Sequence, residues 1–270
     1  MFRGKVRASV PVLALAAAIA IPSAASDAPL TLEEVIVTAQ KRAQSLQDVP
    51  IAITAISQEM MQNQNIFDVL DLQKAVPSLT IIRGYNRANG VPVVIRGMGT
   101  LGAQPAFEGS VGTYVDGMYR ARPGMVLSSM LDLGQVEILR GPQGTLFGKN
   151  TTAGAITMTS NAPQAEFGYG GEVTLGDYDR QRFVGHVTGP LTDTLSGRLA
   201  VLSDERDGFT KALYDHDNYD NLNQETVKGT LAWDATDRLS LKLIADYSDS
   251  NEICCFGNPV AYNRAASLVR

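Results

Sequence analysis

What this chain of 270 residues lacks narrows its function before any motif is read. It has no surplus of positive charge: 23 Lys and Arg stand against 28 Asp and Glu, for a net charge of −5. A nucleic-acid partner requires basic surface to neutralise phosphates, so that class is disfavoured. It has no apolar run near the ~20 residues that a membrane-crossing helix needs. The longest, Val10 to Ile21, spans about twelve. Cysteine is scarce too: Cys254 and Cys255 are adjacent, and no metal-ligand spacing surrounds them. Of the two histidines, His216 sits in the polar loop "YDHDNYD", which has neither the Gly nor the Glu of a calcium-binding EF-hand. His186 falls on a strand and receives no role.

What is present begins with "MFRGKVRASVPVLALAAAIAIPSAAS". A short basic start, an apolar run and small residues at Ser23, Ala24 and Ala25 make the three-part layout of a secretory signal peptide. Export places the two cysteines in an oxidising compartment. A bond between neighbours would close a strained ring, and pairing with cysteines elsewhere is equally open.

The next signal is a β-prone island, "EEVIVTA", comprising Glu33, Glu34, Val35, Ile36, Val37, Thr38 and Ala39. Polar sequence follows it, and nothing adjacent offers a sheet to join. It reads either as an edge strand of the next domain or as a docking segment that adds a strand to a partner.

From Val49 a compact α+β pattern starts. "VPIAITAIS" predicts a strand, Ser57 a helix cap, and Asn65 the cap of a second helix that Pro77 stops. Strand-like "LTIIR" and "VPVVIRG" flank an Asn89-Gly90 turn, and Asp116-Gly117 in "VGTYVDGMYR" predicts a tight hairpin.

Two glycine motifs invite a nucleotide reading, and both lack its context. "GMGTLG", from Gly97 to Gly102, fits a dinucleotide fingerprint, but "AQPAFEGSVG" after it cannot make the required helix. "GPQGTLFGKNTT" has Gln143 where a phosphate loop needs glycine and Asn150 where it needs the magnesium hydroxyl. The β-branched "TTAGAITMTS" that follows is no helix.

After Phe167 the pattern changes to segments of about ten alternating residues. In "RLSLKLIADYSD", Leu239, Leu241, Leu243, Ala245 and Tyr247 share one face, with Arg238, Ser240, Lys242 and Asp246 on the other. "QETVKGTLAW" repeats this, with Val227, Leu231 and Trp233 opposite Thr226, Lys228 and Thr230. Mostly short turns separate such segments, as in an outer-membrane β-barrel. A secreted β-sandwich also alternates, so periodicity leaves both open.

Taken in order, "LEEVIVTAQKRAQSLQDVPIAITAIS", "VIRGMG", "VGTYVDGMYR" and "VEILRGPQGTLFGKNTTAGAITMTS" closely resemble a TonB-dependent outer-membrane receptor. The resemblance implies an α+β plug domain followed by antiparallel transmembrane β-barrel strands, incomplete here at about five of about 22. It implies domains at 1–25 (signal peptide), 26–44 (periplasmic linker with the TonB-binding segment Glu33–Ala39), 45–162 (plug) and 163–270 (first barrel strands). The plug signature falls on Arg96, Gly97, Asp116, Gly117, Arg140, Gly141, Pro142, Gly144 and Gly148. Arg96 and Arg140 resemble plug arginines that pair with barrel-wall glutamates, which would lie on later strands. Implied partners are TonB, outer-membrane lipid and a scarce ligand such as a ferric siderophore. No cofactor, metal or catalytic residue is implied. Five strands cannot close a barrel, so the chain is expected to be part of a longer receptor. The alternative function is a secreted β-rich binding or adhesion module.

Overall fold

The structure is a computed structural model that describes residues 35–38, 41–82, 91–100, 108–121, 130–211, 218–236 and 238–253. The signal-peptide segment, Glu33, Glu34, Ala39, the Asn89-Gly90 turn, His216 and both cysteines lie outside these residues.

In chain order, β1 (Ile36–Val37) pairs antiparallel with β2 (Gln44–Ser45). The island thus has a partner only a few residues on, and the expectation that nothing nearby offers it a sheet is corrected. Strand β3 (Ile53–Ser57) leads into α1 (Gln58–Asn63), where the Ser57 hydroxyl accepts from the Met60 amide at 3.2 Å. The second cap is not Asn65, which has a φ of 50° and lies before the helix. Instead Asp68 and Asp71 cap reciprocally: the Asp71 amide donates to Asp68 at 3.0 Å, and the Asp68 amide donates to Asp71 at 3.3 Å. A 3-10 turn (Val69–Asp71) continues as α2 (Leu72–Ala75). A carboxylate satisfies these orphan N–H groups more strongly than an amide would.

Strands β4 (Leu79–Ile81), β5 (Val93–Ile95) and β6 (Met98–Gly99) form a small antiparallel sheet. Strands β7 (Val111–Val115) and β8 (Met118–Tyr119) form the expected hairpin, with Asp116 and Gly117 at φ 50° and 79°. Two successive positive φ values make the type I′ turn that matches strand twist. Strand β9 (Leu133–Arg140), helical turn α3 (Gly144–Phe147) and β10 (Gly154–Ser160) complete this part. Its main sheet runs β3-β9-β10-β7-β8, with only β10 and β7 parallel. Ile56, Leu72, Ile95, Ile138, Ile156 and Met158 are fully buried beneath it. Each such side chain contributes about 1.5–3 kcal/mol.

The second large sheet is an antiparallel meander: β11 (Gly168–Gly176), β12 (Arg180–Pro190) and β13 (Leu195–Arg206), then two further strands. A two-stranded ribbon, β14 (Thr210–Lys211) with β15 (Asn218–Tyr219), interrupts it in the long connection. Then come β16 (Leu222–Thr236) and β17 (Leu239–Ser250). Four of these five strands have 11 to 15 residues, enough to cross a bilayer tilted.

The burial of this sheet is inverted relative to a soluble protein. On β17, Leu243 is 64% and Tyr247 70% exposed, while on β16 Lys228 is 5% and Thr230 3% exposed. The apolar face points outward, and the polar side chains Arg198 of β13 and Lys228 of β16 are buried against the α+β part. A sandwich would bury its apolar faces. An outward apolar band with polar residues facing in is what surrounding hydrocarbon selects. That decides between the two folds in favour of barrel wall. Among the described residues β11 and β17 each have one neighbouring strand, so the wall is not closed.

The inversion makes a sharp prediction. Leu243→Arg, near the middle of β17, should destabilise the bilayer-inserted protein by about 2–4 kcal/mol in a urea titration. Unchanged stability would mean that this face does not meet lipid.

Candidate functional site

Three features carry functional geometry: the segment around β1, the glycine loop after β9, and the seam between the α+β part and the wall.

The β1 segment is held on two sides. Alternation of an antiparallel ladder turns successive backbone groups to opposite edges. On one edge the Leu46 amide donates to the Val35 carbonyl at 2.9 Å, continuing the β1–β2 pairing. On the other, the Gln135 side chain donates to the Ile36 carbonyl at 3.1 Å. The Thr38 amide and hydroxyl donate to Glu137 Oε1 at 2.6 and 3.1 Å. The Val37 side chain is fully buried among Val49, Tyr114, Leu139 and Ala155, whereas Val35 and Ile36 are exposed.

The glycine loop is a turn built on backbone contacts. Gly141 and Gly148 have φ of 94° and 80°, a conformation in which other residues are strained. Gly141 and Gln143 amides donate to the Ala153 and Thr151 carbonyls at 3.0 and 2.9 Å. Pro142 stands between them in the sequence and Gly144 starts α3. The Tyr114 hydroxyl donates to the Phe147 carbonyl at 2.5 Å, and burial raises the Tyr114 pKa, keeping it a neutral donor. Lys149 turns to Glu108 at 2.8 Å. That hydrogen bond lowers the Glu108 pKa and raises that of Lys149; both groups are exposed and add little stability. Gly97 of the other glycine motif, with Arg96, forms the β5–β6 hairpin turn at φ 77° and 53°. The 141–152 loop holds only the one-turn α3 and is followed by β10, while residues 101–107, which end and follow the other motif, lie outside the described residues.

At the seam, Arg96 and Arg140 have their expected partners on later strands, and no described ion pair tests that expectation. Arg96 is exposed in its turn, and Arg140 donates to the Ala52 and Ile53 carbonyls at 3.4 and 3.1 Å. Most ion pairs that cross to the wall have the opposite polarity, acid inside and base on the wall. Arg198 of β13 forks onto Asp132, both bonds at 2.6 Å, with the two side chains 5% and 6% exposed. Lys228 of β16 lies 3.6 Å from Asp116 and donates to the Ser160 hydroxyl. Asp116 also accepts the Ser160 amide and hydroxyl at 2.9 and 2.7 Å, and Lys242 of β17 lies 3.9 Å away. Arg180 and Arg182 stand 5.1 and 4.7 Å from the centre of the Phe67 ring, a cation–π contact. Among the described residues only Arg120–Asp246, at 3.9 Å, has base on the body and acid on the wall. A cavity of about 280 Å³ lies in this seam, lined by Met61, Phe67, Glu172, Arg182 and His186.

The signal for the seam was present in the sequence: Lys228 and Arg198 recur on polar strand faces. What it lacked was the knowledge that those faces are the buried ones. Glu137, in the apolar-looking "VEILR", was the other missed residue.

Asp116 now has two roles, turn and counter-charge, and Asp116→Asn separates them, since Asn also tolerates the positive φ. It should keep the hairpin but cost roughly 1–3 kcal/mol by leaving the buried Lys228 without its carboxylate. The check is the urea midpoint of the folded protein; an unchanged midpoint removes Asp116 from the seam's energetics.

A family model for the TonB-dependent receptor plug domain matches residues 45–155. The iron-regulated outer membrane virulence protein of Vibrio cholerae is 30% identical over 197 residues, 68% of this chain and 29% of that protein. The catecholate siderophore receptor Fiu of Escherichia coli K12 is 26% identical over 161 residues, 58% of this chain and 20% of that protein. Among solved structures, the ferric yersiniabactin uptake receptor FyuA of Yersinia pestis superposes with a TM-score of 0.62 at 23% identity, over 73% of this chain and 31% of that one. The pyoverdine receptor FpvA of Pseudomonas aeruginosa gives 0.64 at 21%, over 80% and 30%. The chain therefore spans under a third of the length of the relatives it matches.

Proposed function

We propose that this chain, which belongs to the TonB-dependent receptors, serves the energised uptake of a scarce ligand across the bacterial outer membrane. A ferric siderophore is the ligand class favoured by the relatives, whose names include a catecholate siderophore receptor and a ferric yersiniabactin uptake receptor. The observation that carries the reading is the inverted wall. A sheet with lipid-compatible residues outside and ion-paired residues inside, filled by an α+β body, has the build of a gated pore. A secreted binding module, the alternative, gives no reason to expose Leu243 and Tyr247 while burying Lys228.

In this proposal residues 1–25 direct export, 26–44 link to the energy source, 45–162 plug the pore and 163–270 begin its wall. The outer edges of β11 and β17 take further strands, because unpaired backbone groups in hydrocarbon cost several kcal/mol each. Glu33–Ala39 is the segment that TonB takes up by strand addition, a mode that uses backbone groups and tolerates varied side chains. Force on it would then act on the sheet containing β9, next to the seam.

Val37→Pro removes one backbone donor from that segment. In iron-limited cells whose uptake depends on this receptor, it should abolish growth on the ferric siderophore that the receptor binds, while binding at the surface persists. Undiminished uptake at normal surface abundance would exclude Glu33–Ala39 as the coupling segment.

A further inference from the structure

The outward face of the wall carries a furrow of about 560 Å³ where large side chains are missing. Its floor is Gly189 of β12, Gly197 of β13, Gly229 of β16 and Ala245 of β17. Gly189 stands opposite Gly197 in the ladder, and Gly229 opposite Ala245. Leu199 faces Gly229 and Leu231 faces Gly197, so a leucine rises on each side as the furrow crosses from β13 to β16. Elsewhere on this face Phe183, Val227, Trp233 and Tyr247 are large and exposed. Glycine inside a strand packs nothing; it marks a bulge, a bend or the close approach of another body. Here the strands and their register run unbroken through all three glycines, and the one shift, at Asp234/Thr236, lies beyond the furrow. None of the three has a φ in the left-handed region. A Cβ at Gly229 would meet nothing nearer than the Ala245 carbonyl at 4.0 Å. Neither backbone nor packing within the chain calls for glycine there. What calls for it lies outside the chain.

We propose that the furrow holds one acyl chain of a phospholipid from the periplasmic leaflet. The idea rests on the reading of this sheet as outer-membrane wall, whose outward face meets hydrocarbon. No polar side chain enters the furrow. Thr188, Arg198 and Thr230 border it through their backbone, and their side chains are buried on the opposite face. An alkyl chain is the chemistry that fits such a lining. The furrow begins beside the short 191–194 turn, where Phe167 lies over Gly189 and Leu191 over Gly197. The long connection 207–221 leaves from the other end of the same strands. Short turns of such barrels face the periplasm and long loops the outside, which selects the inner leaflet and a two-chain phospholipid. The floor crosses three strand spacings of about 4.8 Å each, so an extended chain can lie along it. A chain seated there restores the dispersion contacts that the missing side chains forgo.

The test inserts the receptor into vesicles of palmitoyl-oleoyl phosphatidylethanolamine that also contain lipopolysaccharide. It is then extracted into mild detergent and weighed by native mass spectrometry. The parent should keep one phospholipid. Gly229→Leu fills the floor at the position with open space and should lose that lipid. Val227→Leu, an outward change outside the furrow, should keep it. If Gly229→Leu does not fold, Ala245→Leu fills the same floor from β17 and should give the same loss. A parent that keeps no phospholipid, or a folded furrow variant that keeps as much as the parent, overturns the site. Lipopolysaccharide retained in place of phospholipid overturns the assigned occupant. A receptor that does not insert overturns the wall reading and the furrow with it, whereas an inserted one that fails the comparison overturns the furrow alone.

Discussion

Everything in this structure depends on where the wall sheet's polar face can go. In hydrocarbon that face must turn inward, and the charges it carries must find partners there, because a buried charge without one is strongly destabilising. The Asp132–Arg198 fork meets that demand most completely, with two bonds at 2.6 Å and almost no exposure. Beside it, Asp116 meets Lys228 of β16, and Phe67 adds a ring contact to Arg180 and Arg182 of β12. The α+β body is therefore more than an obstruction. It supplies the counter-charges for Arg198 and Lys228, while Arg180 and Arg182 pair with Asp204 and Glu172 of the wall itself.

The described seam contacts are largely ion pairs and hydrogen bonds rather than interlocked apolar side chains. Ionic contacts can exchange protein partners for water as they open, whereas an apolar interface loses its stabilisation on wetting. The body's own core, with Ile138, Ile156 and Met158 fully buried, is apolar and fit to transmit a pull. The segment around β1 is tied into that body by the buried Val37 side chain and by the Thr38–Glu137 bond.

Much of this was legible in the chain. The Asp116-Gly117 hairpin, the Ser57 cap and the five long strands followed from local rules, because turn chemistry and period-2 alternation depend on neighbours in sequence. The Asn65 cap failed because two nearby aspartates compete for the same amides and cap each other. The supposed isolation of Glu33–Ala39 failed because a two-residue strand, Gln44–Ser45, is too short to announce itself. The seam's polarity was not legible at all. Alternation tells which residues share a face, but only the tertiary structure shows that Arg198 meets Asp132, 66 positions away. Glu137 was hidden for a similar reason: an acid inside an apolar strand is a signal only when its partner, Thr38, is known.

The claim that inward charges join wall to body is tested most directly by a double-mutant cycle at Asp132 and Arg198, read from urea unfolding of the membrane-inserted receptor. The account predicts that Asp132→Ala and Arg198→Ala are each costly and that the double variant costs far less than their sum, a coupling above about 1.5 kcal/mol. Additive losses, with a coupling under about 0.5 kcal/mol, would contradict it.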